Sequence, residues 1–286
     1  GVLFTGMGNT TGSGTLNLTA QNGHYMASGY MTLVGTVNLA GNSVLELNGV
    51  NNSFGTFSAA SGSRVFYNRT GDQNVAVANY ADLYIGAGSR ASLTDAVTTT
   101  VNGTLSSAGK IIGRNATLVL NGNSNSFGNF TAGTSTVAYR GGDAQVMDGS
   151  VYYYNLAIGG GGTKTLGTDL NITNDFTIED ATTLEVGTQS VSVANTYTVA
   201  ATGAFIFIGN GYLKLGGSVN AIMNFTDDFG TVVYNGASTQ NIKAGTYYNL
   251  QIDNGDKLLD GAVTVRNNFI FDTDAAGRLL TNGYVI

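Results

Sequence analysis

Tyrosines at matched positions are the side chains best suited to surface chemistry in this sequence. Tyr80, Tyr153 and Tyr247 each lie three residues before a Leu of an alternating strand pattern. Because side chains of a strand point alternately to its two faces, strict alternation turns these rings outward, whereas a chain corner would bury them. An exposed ring offers apolar area with a polar tip, which suits stacking on a sugar or on another protein. We favour packing for the three tyrosines and keep them as candidate ligand contacts in the alternative.

Few residues in the chain are suited to catalysis. The single His, His24, lies in the turn-like stretch Gln21-Asn22-Gly23-His24-Tyr25, with no nucleophile elbow beside it, and the chain has no Cys. Nothing in this context supports a catalytic triad, and one His cannot make a histidine-rich metal site. Without Cys there is no disulfide framework and no thiolate ligand. We interpret His24 as solvated or turn-packing, and we assign no catalytic, cofactor-binding or metal-ligating residues.

Neighbouring carboxylates could serve a glycosidase or a calcium-dependent lyase. Three pairs lie close in sequence: Asp227 with Asp228, Glu179 with Asp180, and Asp272 with Asp274. Adjacent residues on a strand face opposite ways, so such a pair could share a cation only at a corner. No basic residue of the kind a polysaccharide lyase needs accompanies them. We interpret them as solvated turn carboxylates, with a loose calcium site and a catalytic dyad as alternatives.

A glycine run resembles a phosphate-binding loop only superficially. The stretch from Gly159 to Thr165, Gly-Gly-Gly-Gly-Thr-Lys-Thr, lacks the spacing of that motif and does not open a helix. Its counterpart further on is Asp-Asn-Gly-Asp-Lys at residues 253–257. The pattern therefore predicts a turn.

Composition excludes several classes of function. Hydrophobic residues make up 42% of the 286 residues and charged residues only 10%, with a net charge of −6. This balance predicts a folded chain and disfavours nucleic acid as a partner. No stretch approaches 18 uninterrupted apolar residues, so we predict no membrane insertion. The opening residues lack a signal-peptide pattern, and we expect the chain to be a piece excised from a longer protein.

Internal repeats organise the sequence. Tyr67, Tyr139 and Tyr234 each have a Gln six residues later, followed by a second matching block around Tyr80, Tyr153 and Tyr247. The interval between the first three tyrosines lengthens from 72 to 95 residues, which is one extra unit of roughly 23 residues. The internal repeats run over about 44–116, 117–211 and 212–286. An elementary period of roughly 20 to 25 residues is typical of a solenoid.

Short alternating runs such as Thr15-Leu16-Asn17-Leu18, separated by Gly, Asn, Asp and Ser, predict strands joined by turns. We predict an all-β fold, a parallel β-helix (β-solenoid) of about 12 coils forming a single domain over residues 1–286. Consecutive antiparallel sandwiches are the alternative, but an extra 23 residues would break their strand pairing. Tyr67, Tyr139 and Tyr234 are expected in core or sheet-flank rows. Corner Asn residues are expected to bond backbone groups or the Asn one coil away.

Several blocks resemble a known type of repeat. They are Tyr-Tyr-Asn-Leu-x-Ile at 153–158 and 247–252, Gly-Thr-Lys-Thr-Leu at 162–166, and Asn-Ile-Thr-Asn-Asp-Phe-Thr-Ile at 171–178. With Thr-Thr-Leu-Glu-Val-Gly at 182–187, they resemble repeats in very large secreted, adhesin-like surface proteins of Bacteroidota, typically exported by the type IX system. The resemblance is clearest over residues 130–270. It implies a cell-surface location and supplies no catalytic residues.

The sequence therefore predicts a non-enzymatic, extracellular structural or adhesive module of a bacterial cell-surface protein, acting as a rigid stalk or a multivalent binding surface. Surface glycans, other proteins or neighbouring segments of the same parent protein are its expected partners, and no cofactor is expected. Two alternatives remain open: a carbohydrate-active β-helix enzyme, either a polysaccharide lyase or a hydrolase, and a subunit that self-assembles into filaments.

Overall fold

The computed structural model describes residues 3–6, 8–19, 22–222, 225–227, 229–272 and 277–286. These residues form strands and turns, and none of them is helical. The chain divides into two compact units, Gly1–Gly141 and Gly142–Ile286. Over the described residues the strands stack in parallel as a β-solenoid of about 13 turns, so the predicted parallel β-helix is confirmed.

The first unit contains short strands, which are β1 (Leu3–Gly6), β2 (Thr10–Gly12), β3 (Leu16–Leu18), β4 (His24–Ala27), β5 (Met31–Leu39), β6 (Val44–Leu47), β7 (Asn52–Ala59), β8 (Arg64–Tyr67), β9 (Gly71–Asn74), β10 (Asn79–Tyr80), β11 (Asp82–Ile85), β12 (Ser89–Ser92), β13 (Thr98–Val101), β14 (Leu105–Ser107), β15 (Lys110–Ile112), β16 (Thr117–Leu120), β17 (Asn125–Ser126), β18 (Asn129–Thr131) and β19 (Thr136–Tyr139). Sheet I has the order β1-β4-β6-β8-β11-β14-β17, and sheet II joins β2, β3 and β7 to β5. Sheet III has the order β9-β12-β15-β18, and sheet IV has β10-β13-β16-β19.

The second unit contains β20 (Gln145–Met147), β21 (Tyr152–Tyr153), β22 (Asn155–Ile158), β23 (Gly162–Leu166), β24 (Leu170–Ile172), β25 (Phe176–Ile178), β26 (Thr182–Val186), β27 (Ser190–Val193), β28 (Tyr197–Val199), β29 (Ala204–Phe207), β30 (Tyr212–Leu215), β31 (Asn220–Ala221), β32 (Phe225–Asp227), β33 (Thr231–Tyr234), β34 (Gln240–Ile252), β35 (Lys257–Phe271) and β36 (Leu279–Leu280). Sheet V has the order β20-β23-β26-β29-β32, and sheet VI has β22-β25-β28-β31. Sheet VII has the order β21-β24-β27-β30-β33-β34-β35-β36.

Parallel pairing stacks equivalent side chains in register. In sheet VII, Leu170 pairs with Val191, Val191 with Leu213, and Leu213 with Val232. All four side chains are buried. Polar neighbours such as Asn171 lie between the inward residues, so the sequence alternation becomes continuous apolar rows, one turn apart, at about 4.8 Å spacing. The described strand pairs run parallel, which is incompatible with the antiparallel-sandwich alternative.

Asparagines link successive turns at the corners, as predicted. In the first unit, Asn121 Nδ2 donates to Asn102 Oδ1 at 2.9 Å, and each Asn directly follows the last residue of a strand. In the second unit, Asn174 Nδ2 donates to Asn155 Oδ1 at 2.8 Å and Asn195 Nδ2 donates to Asn174 Oδ1 at 3.1 Å. These ladders supply partners to amides at the points where the chain leaves one sheet for the next.

Candidate functional site

Tyr80 is buried in the first unit, with none of its surface exposed. Its hydroxyl donates to Ala76 O at 2.6 Å and lies 2.8 Å from the Tyr67 hydroxyl. The Tyr67 oxygen also accepts a hydrogen bond from Ala76 N at 2.9 Å. The two tyrosines, which we call the first tyrosine clasp, therefore bind the backbone of the segment that separates them.

A second tyrosine clasp occurs in the second unit. The hydroxyls of Tyr234 and Tyr247 are 3.2 Å apart, Tyr247 donates to Lys243 O at 2.8 Å, and Lys243 N donates to Tyr234 at 3.3 Å. Tyr247 is 2% exposed. Each clasp thus spans the same length of chain and bonds the residue nine positions after its first tyrosine.

Tyr80, Tyr153 and Tyr247 do not face outward, which fits the packing interpretation and not the ligand-contact alternative. Tyr153 is fully buried, and its hydroxyl donates to Asp148 O at 2.5 Å. Strand β10 ends at Tyr80 and belongs to sheet IV, whereas β11 begins at Asp82 in sheet I. The chain therefore turns a corner between Tyr80 and Leu83, and this corner resets the alternation, as the packing interpretation requires. These rings are not accessible to a ligand.

Burial keeps the clasp hydroxyls protonated. It raises the pKa of Tyr67 and of Tyr234 to about 12, despite the opposing hydrogen bonds from their partner tyrosines. Burial also raises the pKa of Tyr80 well above its usual range. Tyr67, Tyr80 and Tyr234 are therefore neutral hydrogen-bonding groups at physiological pH.

Two lysines lie inside the second unit, a feature that the sequence reasoning missed. Lys164 and Lys257 have no exposed surface. Lys164 Nζ donates to Gly161 O at 2.9 Å and to Asp143 O at 3.2 Å. The glycine run before it turns sharply, with positive φ at Gly160 and Gly161, so the predicted turn is confirmed there and β23 follows it.

Lys257 binds backbone oxygen in the same way. Its Nζ donates to Gly236 O at 3.0 Å and to the carbonyls of Asn254 and Gly255. Burial lowers the pKa of both lysines, while nearby aspartates oppose the shift. The strand alternation in the sequence could have indicated this burial. Lys164 lies two residues before the buried Leu166, and Lys257 lies two residues before the buried Leu259, so each Lys shares a strand face with a core residue.

His24 belongs to strand β4 rather than to a turn, and it takes part in a polar ladder on sheet I. His24 Nε2 lies 3.2 Å from Glu46 Oε2. The other oxygen of Glu46 accepts a hydrogen bond from Asn68 Nδ2 at 3.0 Å. One carboxylate thereby links three successive turns, which is a structural role.

Of the three carboxylate pairs, only Glu179 with Asp180 lies wholly within the described residues. Asp180 Oδ1 accepts hydrogen bonds from the backbone N and the hydroxyl of Thr202 at 3.1 and 2.9 Å, one turn away. Asp228, Asp274 and the side chain of Asp227 lie outside the described part of the chain. Among the residues that are described, no three His, Asp or Glu side chains are grouped to hold a metal ion.

The outer face of sheet VII carries a row of accessible side chains beside a groove. Tyr152, Asn171, Ser192 and Lys214 form one outward row, each in register with the residue one turn away. Beside this row lies a groove of about 420 Å³, whose lining also includes Ala194 and Gly216. Tyr152 is 66% exposed. The row presents an aromatic ring, an amide, a hydroxyl and an ammonium group at one-turn intervals.

Within the described ranges, no helix is both long and apolar enough to cross a membrane. Comparisons of the chain with protein-family models, with curated proteins and with solved structures find no match.

Proposed function

We propose that this chain is a non-enzymatic structural and adhesive module of a bacterial cell-surface protein, acting outside the cell as a rigid stalk or a multivalent binding surface. The supporting observation is the in-register parallel stacking within each unit. It gives each unit a continuous buried interior and repeats its outward side chains once per turn, at about 4.8 Å.

Repetition of this kind suits weak multivalent contact. A row such as Tyr152, Asn171, Ser192 and Lys214 presents one side chain per turn. Several weak contacts to one extended ligand add up, because the first contact raises the effective concentration for the next. Surface glycans and other surface proteins are ligands of this form.

The chemistry of the chain suits a rigid support outside a cell. Only 10% of its residues are charged, and it has no Cys to oxidise. Internal hydrogen bonds occupy its buried polar groups at the clasps and around Lys257. The resemblance of its blocks to repeats of secreted Bacteroidota adhesins supports the location.

The adhesive role is tested by displaying residues 1–286 on a non-adherent bacterium and measuring retention under flow on glycan- and protein-coated surfaces. We expect retention that is lost when Val191, which is fully buried, is replaced by Asp. Retention equal to that of the same bacterium without the displayed chain would contradict adhesion.

The stalk role and the two alternative functions, enzyme and filament subunit, need separate measurements. A stalk requires the isolated chain to scatter X-rays as an elongated particle, and a compact ellipsoid would contradict it. Cleavage of any member of a polysaccharide panel, with or without calcium, would overturn the non-enzymatic proposal. Filaments in electron micrographs would favour the self-assembling alternative.

A further inference from the structure

A second pocket lies on the outer face of sheet VII, around the start of β30 and β33. It has a volume of about 320 Å³, and Tyr212, Phe229 and Tyr248 contribute the aromatic part of its lining. This volume is at the lower end of the range of small-ligand sites. All of its lining residues belong to the second unit.

The rings supply accessible apolar area. Phe229 is 50% exposed and Tyr212 is 40% exposed. Phe229 and Tyr248 meet at an angle of 55° with centroids 6.1 Å apart, which forms a corner. Lys214 Nζ lies 5.7 Å from the centroid of the Tyr212 ring and holds it by a cation–π contact. Tyr212 and Phe229 therefore each have one contact that orients the ring.

Amides supply the polar part of the pocket. Asn249 Oδ1 accepts hydrogen bonds from Asn267 Nδ2 at 2.9 Å and from Asn268 N at 3.2 Å, so it fixes β35 beside the rings. The side chains of Asn210 and Asn268 are exposed and form no hydrogen bond within the described part of the chain. Each offers both a donor and an acceptor, the combination that a hydroxyl group also carries.

No described residue that lines the pocket is charged. Exposed aromatic rings next to the exposed amides of Asn210 and Asn268 match a ligand with apolar C–H faces and a rim of hydroxyl groups. We propose that this pocket binds a neutral sugar unit of a glycan, with a ring of the sugar stacked on Phe229 or Tyr212 and its hydroxyls bonded to Asn210 and Asn268. The inference rests on the proposed adhesive function, to which it adds a site and a ligand class.

The experiment titrates the whole chain with cellohexaose, maltohexaose, mannohexaose and chitohexaose in its N-acetylated form, using saturation-transfer NMR. A hexamer of galacturonic acid is the acidic comparison. We expect at least one neutral oligosaccharide to bind with a Kd on the order of 1 mM, since one shallow pocket captures little binding free energy. Replacing both rings, Tyr212→Ala with Phe229→Ala, should weaken it about tenfold or more.

Matched variants separate the pocket from general effects. Asn210→Ala with Asn268→Ala should also weaken binding, while Ile208→Ala, an exposed apolar residue outside the pocket, and Tyr30→Ala, an exposed tyrosine of the first unit, should leave it unchanged. The melting temperature of each variant checks its fold. Binding that survives loss of both rings, an equal affinity for the acidic hexamer, or no binding by any neutral probe would overturn the proposal. Retention on protein-coated surfaces despite such a result would leave the adhesive function standing.

Discussion

Lys257 illustrates how a single residue can carry two opposing free-energy terms. Its ammonium is removed from water, which costs free energy, and it satisfies carbonyl groups of Gly236, Asn254 and Gly255. Removing a buried donor leaves its acceptors unsatisfied, at about 1–3 kcal/mol for each such group. Several acceptors lose their partner at once, so we expect the hydrogen-bond term to exceed the relief from desolvation.

Lys257→Met should therefore lower the free energy of unfolding by about 3 kcal/mol. Urea denaturation followed by circular dichroism measures this change. Lys110→Met, on a side chain that is not buried, is the matched control and should change stability by less than about 0.5 kcal/mol. A more stable Lys257→Met variant would show that desolvation dominates.

The clasp tyrosines make stability depend on alkaline pH. The pKa of Tyr67 and of Tyr234 is about 12 in the folded chain, above the usual value of 10.0. A raised pKa means that the folded state holds the proton more tightly than the unfolded state. The stabilisation is complete below pH 10 and is lost as the pH rises from 10 to 12, on the order of 3 kcal/mol for each tyrosine.

Denaturation of the native chain and of Tyr67→Phe at a series of pH values tests this. The native chain should lose more stability than the variant between pH 10 and pH 12, by on the order of 3 kcal/mol. Between pH 7 and pH 9 the difference between them should stay constant. If the free energy of unfolding of the native chain and of Tyr67→Phe changed in parallel from pH 7 to pH 12, the role of burial at Tyr67 would be contradicted.

At the scale of the element, close approach of successive turns restricts side chains. A Cβ atom at Gly217 would lie 1.6 Å from Asn195 O, one turn below. Both atoms belong to the path between sheet VII and sheet VI, where Asn220 Nδ2 also donates to Gly217 O at 2.7 Å. The backbone of one turn must therefore move if a side chain is added there.

Gly217→Ala should lower the free energy of unfolding by about 2–3 kcal/mol, because overpacking of a tight contact displaces backbone. The shift in the urea midpoint measures it. Gly14→Ala is the control, since a Cβ there would have no neighbour within 4 Å. Equal midpoints for the two variants would mean that the turns can separate freely at Gly217.

At the scale of the whole molecule, each unit should behave as a linear array. Phe176 pairs with Tyr197 and Ile178 with Val199, so residues 176–196 make up one complete turn of the second unit. Stability of such arrays is close to a sum of turn and interface contributions. Removing a complete turn keeps every strand in phase, whereas removing part of a turn places strands against corners.

Deletion of residues 176–196 should therefore give a folded, less stable chain, and deletion of residues 176–185 should give an unfolded or aggregated one. Circular dichroism and size-exclusion chromatography distinguish these outcomes. Loss of folding in both deletions would show that the second unit depends on contacts beyond neighbouring turns.

Local pattern was enough to predict the fold. The alternation in runs such as Val191-Ser192-Val193 and the turn residues between them predict strands, and the repeat of roughly 20 to 25 residues predicts parallel stacking. Asn ladders such as Asn155–Asn174–Asn195 followed from the same stacking. These features repeat along the chain, so one sequence carries several copies of the same signal.

Orientation at the corners was decided only by the tertiary structure. Tyr80, Tyr153 and Tyr247 alternate outward in the sequence but are buried. The chain changes sheets just after Tyr80 and Tyr153, and the register of β34 shifts just after Tyr247. Lys257 lies inside because backbone carbonyls from more than one turn converge on its ammonium. Likewise, Phe229 and Tyr248 meet with Asn210 and Asn268 only after β30, β33, β34 and β35 stack. The sequence by itself therefore determined the strands and their stacking, which depend on local alternation and period, while the contents of the interior and of the pocket depend on turns brought together in space.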